Sequence, residues 1–274
     1  MARPVWFVEL LKRGFPQRFR LARLSRLPGI GGLFDRLLFA GDDIIFLPRQ
    51  RVIQVHQSVP VPEQTVLPAQ VVHHFVDVAQ HHWIMNFCIC RAAAHCKDYP
   101  IELGCLFMGK PVLQINPRLG RLVTAAEAHD HVERCHRAGL VHLIGRNRLD
   151  ALWLGVHPGE ELLTVCNCCP CCCLYRMLPM LAPHISARFA RMPGVAVKVT
   201  DACDGCGACT KGVCFVSAIG LRNGKAVISE ACRGCGRCVE LCPKKAIRLT
   251  VEGDAVERSV AKVQGAVRLR SENS

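Results

Sequence analysis

Apolar residues run through this chain in short stretches whose period changes along its length. Val5, Phe7, Val8, Leu10 and Leu11 interleave with Glu9, Lys12 and Arg13, and Phe15, Phe19, Leu21, Leu24 and Leu27 follow among Arg18, Arg20, Arg23 and Arg26. Gly29-Ile30-Gly31-Gly32 breaks this pattern, and Leu33, Phe34, Leu37 and Leu38 restart a helical stripe with Asp35 and Arg36 outward. Such a cationic amphipathic segment lies on a membrane surface, docks on a partner, or packs on its own domain with its arginines solvated. Pro48, Pro60, Pro62 and Pro68 make residues 48–68 an extended connector. Val72, Phe75, Val76, Ala79 and Trp83 recur at helical spacing and predict a helix over residues 69–83, with His74, Asp77 and His81 on a second, solvated face. Thr124 with Glu127 reads as a capping box opening a helix to Ala138. Gly139 ends it, and Leu140–Ile144 follows as a short strand. The charged, mixed residues 253–274 read as a loosely held tail.

Composition turns this outline toward metal chemistry. The 274 residues include 19 cysteines, a usage that belongs either to a disulfide scaffold or to a metalloprotein. The odd count favours metal, as do directly adjacent cysteines, where a disulfide is strained. So does the lack of a secretory pattern at the basic, apolar N-terminus. No apolar run reaches the roughly 18 residues of a membrane span. A reducing cytoplasm is the expected compartment, with membrane association through residues 1–40 kept open. The net charge of +13 either balances anionic clusters or serves an anionic partner.

Two C-terminal segments repeat one another. Cys203-Asp-Gly-Cys206-Gly-Ala-Cys209 is followed by Cys214 and Ala218-Ile219, and Cys232-Arg-Gly-Cys235-Gly-Arg-Cys238 by Cys242-Pro243 and Ala246-Ile247. Between them, Asn223-Gly224 separates short apolar runs, which signals a hairpin. A C-x-x-C-x-x-C loop wraps three corners of a cubane. Gly205, Gly207, Gly234 and Gly236 let the backbone approach its sulfurs. The remote fourth cysteine ligates the other cluster in two-cluster ferredoxins. The spacing therefore predicts one [4Fe–4S] cluster on Cys203, Cys206, Cys209 and Cys242, and a second on Cys232, Cys235, Cys238 and Cys214. Zinc ribbons use paired C-x-x-C without a remote fourth ligand. Residues 198–250 resemble a bacterial-type two-cluster ferredoxin domain. They depart from it in having four residues before Cys214 and Phe215 in place of proline.

Eleven cysteines lie upstream. Cys135 stands alone on the capped helix and reads as a small buried apolar residue. Cys88, Cys90, Cys96 and Cys105 form one group, and Cys166, Cys168, Cys169, Cys171, Cys172 and Cys173 a second. The first matches no familiar zinc-finger spacing, and the second is denser than one ion needs. These ten are candidate ligands of at least one further iron–sulfur cluster, with structural zinc or reversible thiol chemistry as the alternatives. So many thiols in one place cannot all ionise without mutual repulsion, which a soft cation relieves. Arg91, Lys97, Lys110 and Arg176 are placed to offset residual negative charge.

The strings Phe87-Cys-Ile-Cys-Arg91, His95-Cys-Lys-Asp-Tyr-Pro100, Gly104-Cys-Leu-Phe107, Ala138-Gly-Leu-Val-His142 and Val165-Cys-Asn-Cys-Cys-Pro-Cys-Cys-Cys173 resemble a family of uncharacterised 4Fe–4S ferredoxin-type proteins of anaerobic bacteria and archaea. In that family a cysteine-rich region precedes a two-cluster domain. The resemblance spans about residues 30–250, implies an anaerobic redox role and supplies no substrate. It makes His142 either a cluster or substrate contact or a surface strand histidine. The expected fold is α+β: a basic amphipathic segment (1–47), a mixed, mainly helical Cys-rich domain (48–195), a two-[4Fe–4S] ferredoxin domain (196–252) and a charged tail (253–274). The expected function is electron transfer to a redox partner protein, the alternative a ferredoxin-fed reductase with a catalytic upstream site. Residues 1–40 would meet a membrane surface or an acidic protein. No basic recognition helix favours nucleic acid, and no nucleotide-binding glycine loop is present.

Overall fold

The computed structural model describes residues 3–49, 53–55 and 67–269. A seven-stranded sheet stands at its centre. The strands are β1 (Asp43–Phe46), β3 (His82–Met85), β4 (Leu106–Met108), β5 (Gly120–Val123), β6 (Val141–Arg146), β7 (Leu163–Cys168) and β8 (Phe189–Arg191), in the order β5-β3-β4-β7-β6-β1-β8. Neighbours are antiparallel except β1 and β8. A smaller sheet joins β2 (Ile53–Val55), β12 (Ile247–Val251) and β9 (Val195–Val199), and β10 (Ile219–Arg222) pairs with β11 (Lys225–Ile228) as a hairpin. Asn223 and Gly224 hold φ of 50° and 70° at its turn, the two positive values that a type I′ hairpin needs.

Side-chain alternation sorts the central strands into two cores. Ile45, Ile84, Ile144 and Val165 face α4 (Leu67–Val78), α6 (Ala125–Arg137) and α10 (Ala255–Ala266). Phe46, Trp83, Leu143, Cys166 and Cys168 face the opposite way, toward α1 (Val5–Gly14), α2 (Arg18–Leu24) and α3 (Ile30–Leu38). With both faces covered, β3, β4 and β7 are buried at every position. Their buried residues include His82, Thr164 and Asn167, so no inward-apolar, outward-polar alternation marks them in the sequence. The Cys-rich region is mixed, its helices packed on both faces of a sheet. Trp83 belongs to β3, and the helix expected over 69–83 ends at Val78.

The expected tail is also different. Residues 255–266 form α10, with Ser259 and Val263 buried and Lys262 Nζ 2.8 Å from Asp43. Its apolar face covers the sheet, so its charges lie on the outer side only. Strand β1 draws part of the N-terminal segment into the central sheet, and parallel pairing of β12 with β2 ties the C-terminal repeat to the upstream chain. The connector expected over 48–68 lies mostly outside the described residues. The capping box forms: Glu127 N–H donates to Thr124 Oγ1 at 3.2 Å, and Thr124 N–H to Glu127 Oε2 at 2.9 Å.

Candidate metal centres

The two halves of the C-terminal repeat fold alike. Gly205 and Gly234 have φ of 74° and 68°, and Gly207 and Gly236 have φ of 73° and 77°. At Gly205 a Cβ would sit 2.0 Å from the Gly224 carbonyl oxygen, so only glycine lets this loop close against the hairpin turn. Backbone N–H groups aim at the sulfurs, with corresponding bonds at the fourth cysteine of each half. Ala218 donates to Cys214 and Ala246 to Cys242, each at 3.3 Å, while Ala226 donates to Cys203 at 3.3 Å and Gly234 to Cys232 at 3.4 Å. Cys203, Cys206, Cys209 and Cys242 line one hollow. Cys214, Cys232, Cys235 and Cys238 line another. Each hollow thus gathers the cysteines that spacing had grouped. N–H donors aimed at sulfur suit anionic thiolates. Burial pushes the free thiols of Cys232, Cys235 and Cys238 up, Cys235 to about 12, a cost that bound metal removes.

The ten upstream cysteines divide into six and four. Cys166 and Cys168 share one face of β7, two residues apart, and Cys173 turns back to join them, 3.1 Å from Cys168 between sulfurs. Cys105, just before β4, places its sulfur 3.8 Å from that of Cys166. Cys88 and Cys90, at the start of α5 (Ile89–Ala93), complete a group of six around a cavity of about 490 Å³ roofed by Phe7, Leu11, Phe15 and Phe34, which Cys169 also lines. The other four, Cys96, Cys169, Cys171 and Cys172, gather on the far side of the loop after β7. The first sequence group is therefore split: Cys96 lies beyond the end of α5 and parts from Cys88, Cys90 and Cys105. Cys135 is fully buried against this region, its sulfur 3.6 Å from His131 Nε2, as expected of a small core residue.

Around the cavity the thiols cannot behave alike. Hydrogen bonds from Cys105 and Cys168 pull Cys166 well down, and a hydrogen bond from Cys90 brings Cys88 to about 7. Hydrogen bonding to those neighbours, together with burial, pushes Cys90, Cys105 and Cys168 well up. Arg91 answers this negative charge. It is fully buried and bonds only carbonyls: Nε donates to Pro100 O at 2.8 Å, Nη1 to Asn167 O at 2.7 Å, and Nη2 to Leu103 O. Burial works against its charge, and the surrounding sulfurs, Cys88 first among them, more than offset it. A buried guanidinium with no carboxylate partner requires an anion nearby, and here that anion is sulfur. Arg176 Nη1 reaches Cys171 O at 2.6 Å, whereas Lys97 and Lys110 are exposed.

Residues 225–248 match the family described as 4Fe-4S binding domain. This is an iron–sulfur protein. Its matched stretch contains Cys232, Cys235, Cys238 and Cys242, the second half of the repeat. Neither the curated proteins nor the solved structures offer a match to the chain.

Several residues of this iron–sulfur protein's site carry no sequence signature. Asp150, Tyr175 and Arg18 all line the cavity. Asp150 accepts from Asn147 at 2.6 Å, Trp153 at 2.7 Å and Thr164 at 3.0 Å, and burial beside Cys166 raises it to about 8. Tyr175 N–H donates to Cys173 Sγ at 3.4 Å. Arg18 stacks on Phe15 and Phe19 and faces Cys90 and Cys173. These bonds of Asp150 and Tyr175 are short-range along the chain, whereas Arg18 meets Cys90 and Cys173 only through the tertiary fold. His142 is buried and not at the surface. Its Nδ1 lies 2.7 Å from Asn167 Oδ1, its Nε2 has no partner, and burial lowers it to about 4.

Proposed function

We propose that this protein carries electrons between two [4Fe–4S] clusters in the C-terminal repeat and at least one further iron–sulfur cluster held in the six-cysteine cavity. One observation carries this reading: the second C-terminal hollow and the cavity share a single packed core. Phe215, beside Cys214, has its ring 5.9 Å from Phe46, and the Phe46 ring lies 6.3 Å from Tyr175, which touches Cys173. Cys206 is exposed, so the first cluster would face a redox partner protein and the second would relay inward. The nonproline residue after Cys214 thereby acquires a use as the packing contact between the two sites.

A second reading, a ferredoxin-fed reductase, draws support from the size and apolar roof of the cavity, which leave room for a small molecule beside the cysteines. Exposed Trp6, Leu10, Leu33 and Leu37, with Arg13, Arg20, Arg23 and Arg36 around them, support docking of the N-terminal helices on an anionic lipid surface. No described helix is long and apolar enough to cross a membrane.

The test is anaerobic purification of the full chain with iron and acid-labile sulfide counts, followed by EPR during stepwise reduction. About eight iron atoms belong to the C-terminal repeat, and a count above that is expected from the cavity. Cys206→Ala and Cys235→Ala should each remove mainly one C-terminal cluster. A full chain with zinc and no labile sulfide would overturn the proposal. An iron count of about eight with the cavity thiols freely titratable would reduce it to a plain two-cluster carrier.

A further inference from the structure

We infer that Cys96, Cys169, Cys171 and Cys172 bind a single tetrahedral metal ion, zinc by preference, and not an iron–sulfur cluster. The inference is independent of the electron-transfer reading, in which these four cysteines have no part.

The close approach of all four sulfurs at once carries the inference: the cavity has close pairs, Cys105 with Cys166 and Cys168 with Cys173, but among the described residues no other mutually close set of three or more. All four sulfurs lie within 4.8 Å of one another, with Cys96 to Cys171 at 3.6 Å and Cys171 to Cys172 at 3.5 Å. Four thiolates bonded at roughly 2.3 Å to one tetrahedral zinc stand about 3.8 Å apart. Thiolates on a [4Fe–4S] cubane bind four separate irons and stand about 6 Å apart. The chain supplies its own comparison. Among the described residues no other set of three or more cysteine, histidine or acidic ligands is drawn so close, and neither C-terminal quartet is.

The local backbone explains how adjacent cysteines reach two different places. Cys168 is the last residue of β7 and keeps the strand's inward direction, whereas Cys169 begins the turn, where it borders the cavity while its sulfur joins those of Cys96, Cys171 and Cys172. After Pro170 the loop presents Cys171 and Cys172 to the same side as Cys169, and Cys173 returns to the cavity. Cys96 arrives from a turn in which His95 takes a positive φ of 48°. The amides of Asp98 and Tyr99 point at the Cys96 sulfur, and that of Cys172 at Cys169. Amides directed at sulfur stabilise bound thiolates.

A closed tetrahedral S₄ set takes zinc or iron, and divalent affinities place zinc above iron(II). Four protein ligands leave no open position, so the ion has a structural role. It joins the segment from α5 to β4 with the loop after β7, 75 residues apart at Cys96 and Cys171. Cys90 and Cys105 lie in the first segment and Cys173 in the second, while Cys88 and the β7 residues Cys166 and Cys168 adjoin them. The ion is thus a clamp that sets the spacing of the six.

The test uses the full-length protein purified anaerobically. Zinc, iron and sulfide are counted in the wild type, in Cys96→Ser and in Cys206→Ala, and X-ray absorption is recorded at the zinc edge of the wild type. We expect one zinc per chain with four sulfur neighbours at about 2.3 Å. It should be lost in Cys96→Ser and kept in Cys206→Ala. One iron in its place, lost without sulfide, equally supports the single-ion site. Loss of about four irons and four sulfides in Cys96→Ser would overturn it. A wild type with no zinc and no iron in excess of its sulfide would also overturn it. The wild-type absorption spectrum needs no variant, so a Cys96→Ser chain that fails to fold does not remove the test.

Discussion

Replacing Arg91 by Met separates the two tasks that the structure gives this side chain. The guanidinium satisfies three buried carbonyls, of Pro100, Leu103 and Asn167. It also stands as a buried cation among thiolates. Removing three donors costs about 1–3 kcal/mol for each carbonyl left unpaired. In the metal-free chain, with the thiols protonated, the same change removes a desolvation penalty of several kcal/mol, on the order found for any buried ion. The two contributions oppose each other, so Arg91→Met should change the stability of the metal-free, reduced protein by about 0–3 kcal/mol. In the loaded protein the cation also faces net negative sulfur. A unit charge about 6 Å away at an effective dielectric near 20 contributes roughly 3 kcal/mol. The loaded protein should therefore lose about 3 kcal/mol more than the metal-free one. Arg91→Lys keeps the charge but cannot reach three carbonyls on two separate segments, and it should fall between. The assay is anaerobic denaturant unfolding of all three proteins, loaded and metal-free. Equal losses from Arg91→Met in both states would refute the counter-charge argument.

Three further outcomes follow from other parts of the molecule. Asp42 accepts the Arg148 N–H at 2.7 Å through Oδ1, its Oδ2 is buried without a partner, and burial raises it from 3.8 to about 7. The folded chain keeps a proton that the unfolded chain releases, so stability should fall between pH 4 and 7 by up to about 4 kcal/mol and then level. Asp42→Asn should flatten that slope, and an unchanged pH profile of unfolding would contradict it. Phe215 is only 2% exposed against Phe46, so Phe215→Ala should cost about 3–5 kcal/mol in denaturant unfolding while Phe215→Leu recovers most of it. Trp6 and Leu33 are 67% and 60% exposed. Changing both to Ser should abolish sedimentation with anionic vesicles while leaving the circular dichroism spectrum intact, and undiminished sedimentation would remove these helices from membrane docking.

Chemistry spelled out by covalent spacing was legible in the chain. Each C-x-x-C-x-x-C loop carries its own geometry within seven residues. Asn223-Gly224 dictates a hairpin through its dihedral preferences, and Thr124 with Glu127 closes a helix end within one turn. The ten upstream cysteines stood out as candidate ligands because sulfur in such density has few other uses. Their partition was not visible. Whether Cys168 and Cys169 point together or apart depends on where β7 ends, and β7 ends where pairing with β6 stops. The central sheet was hidden for a related reason: β3, β4 and β7 are covered on both faces, which erases the alternation that marks a strand. The outer helix α10 read as a tail because its apolar residues have meaning only against α4 and the sheet. Arg91, Asp150 and Tyr175 are ordinary residues in the sequence. They come together only once folding has removed them from water and brought them against sulfur, where charge and hydrogen bonding count for more than in solvent.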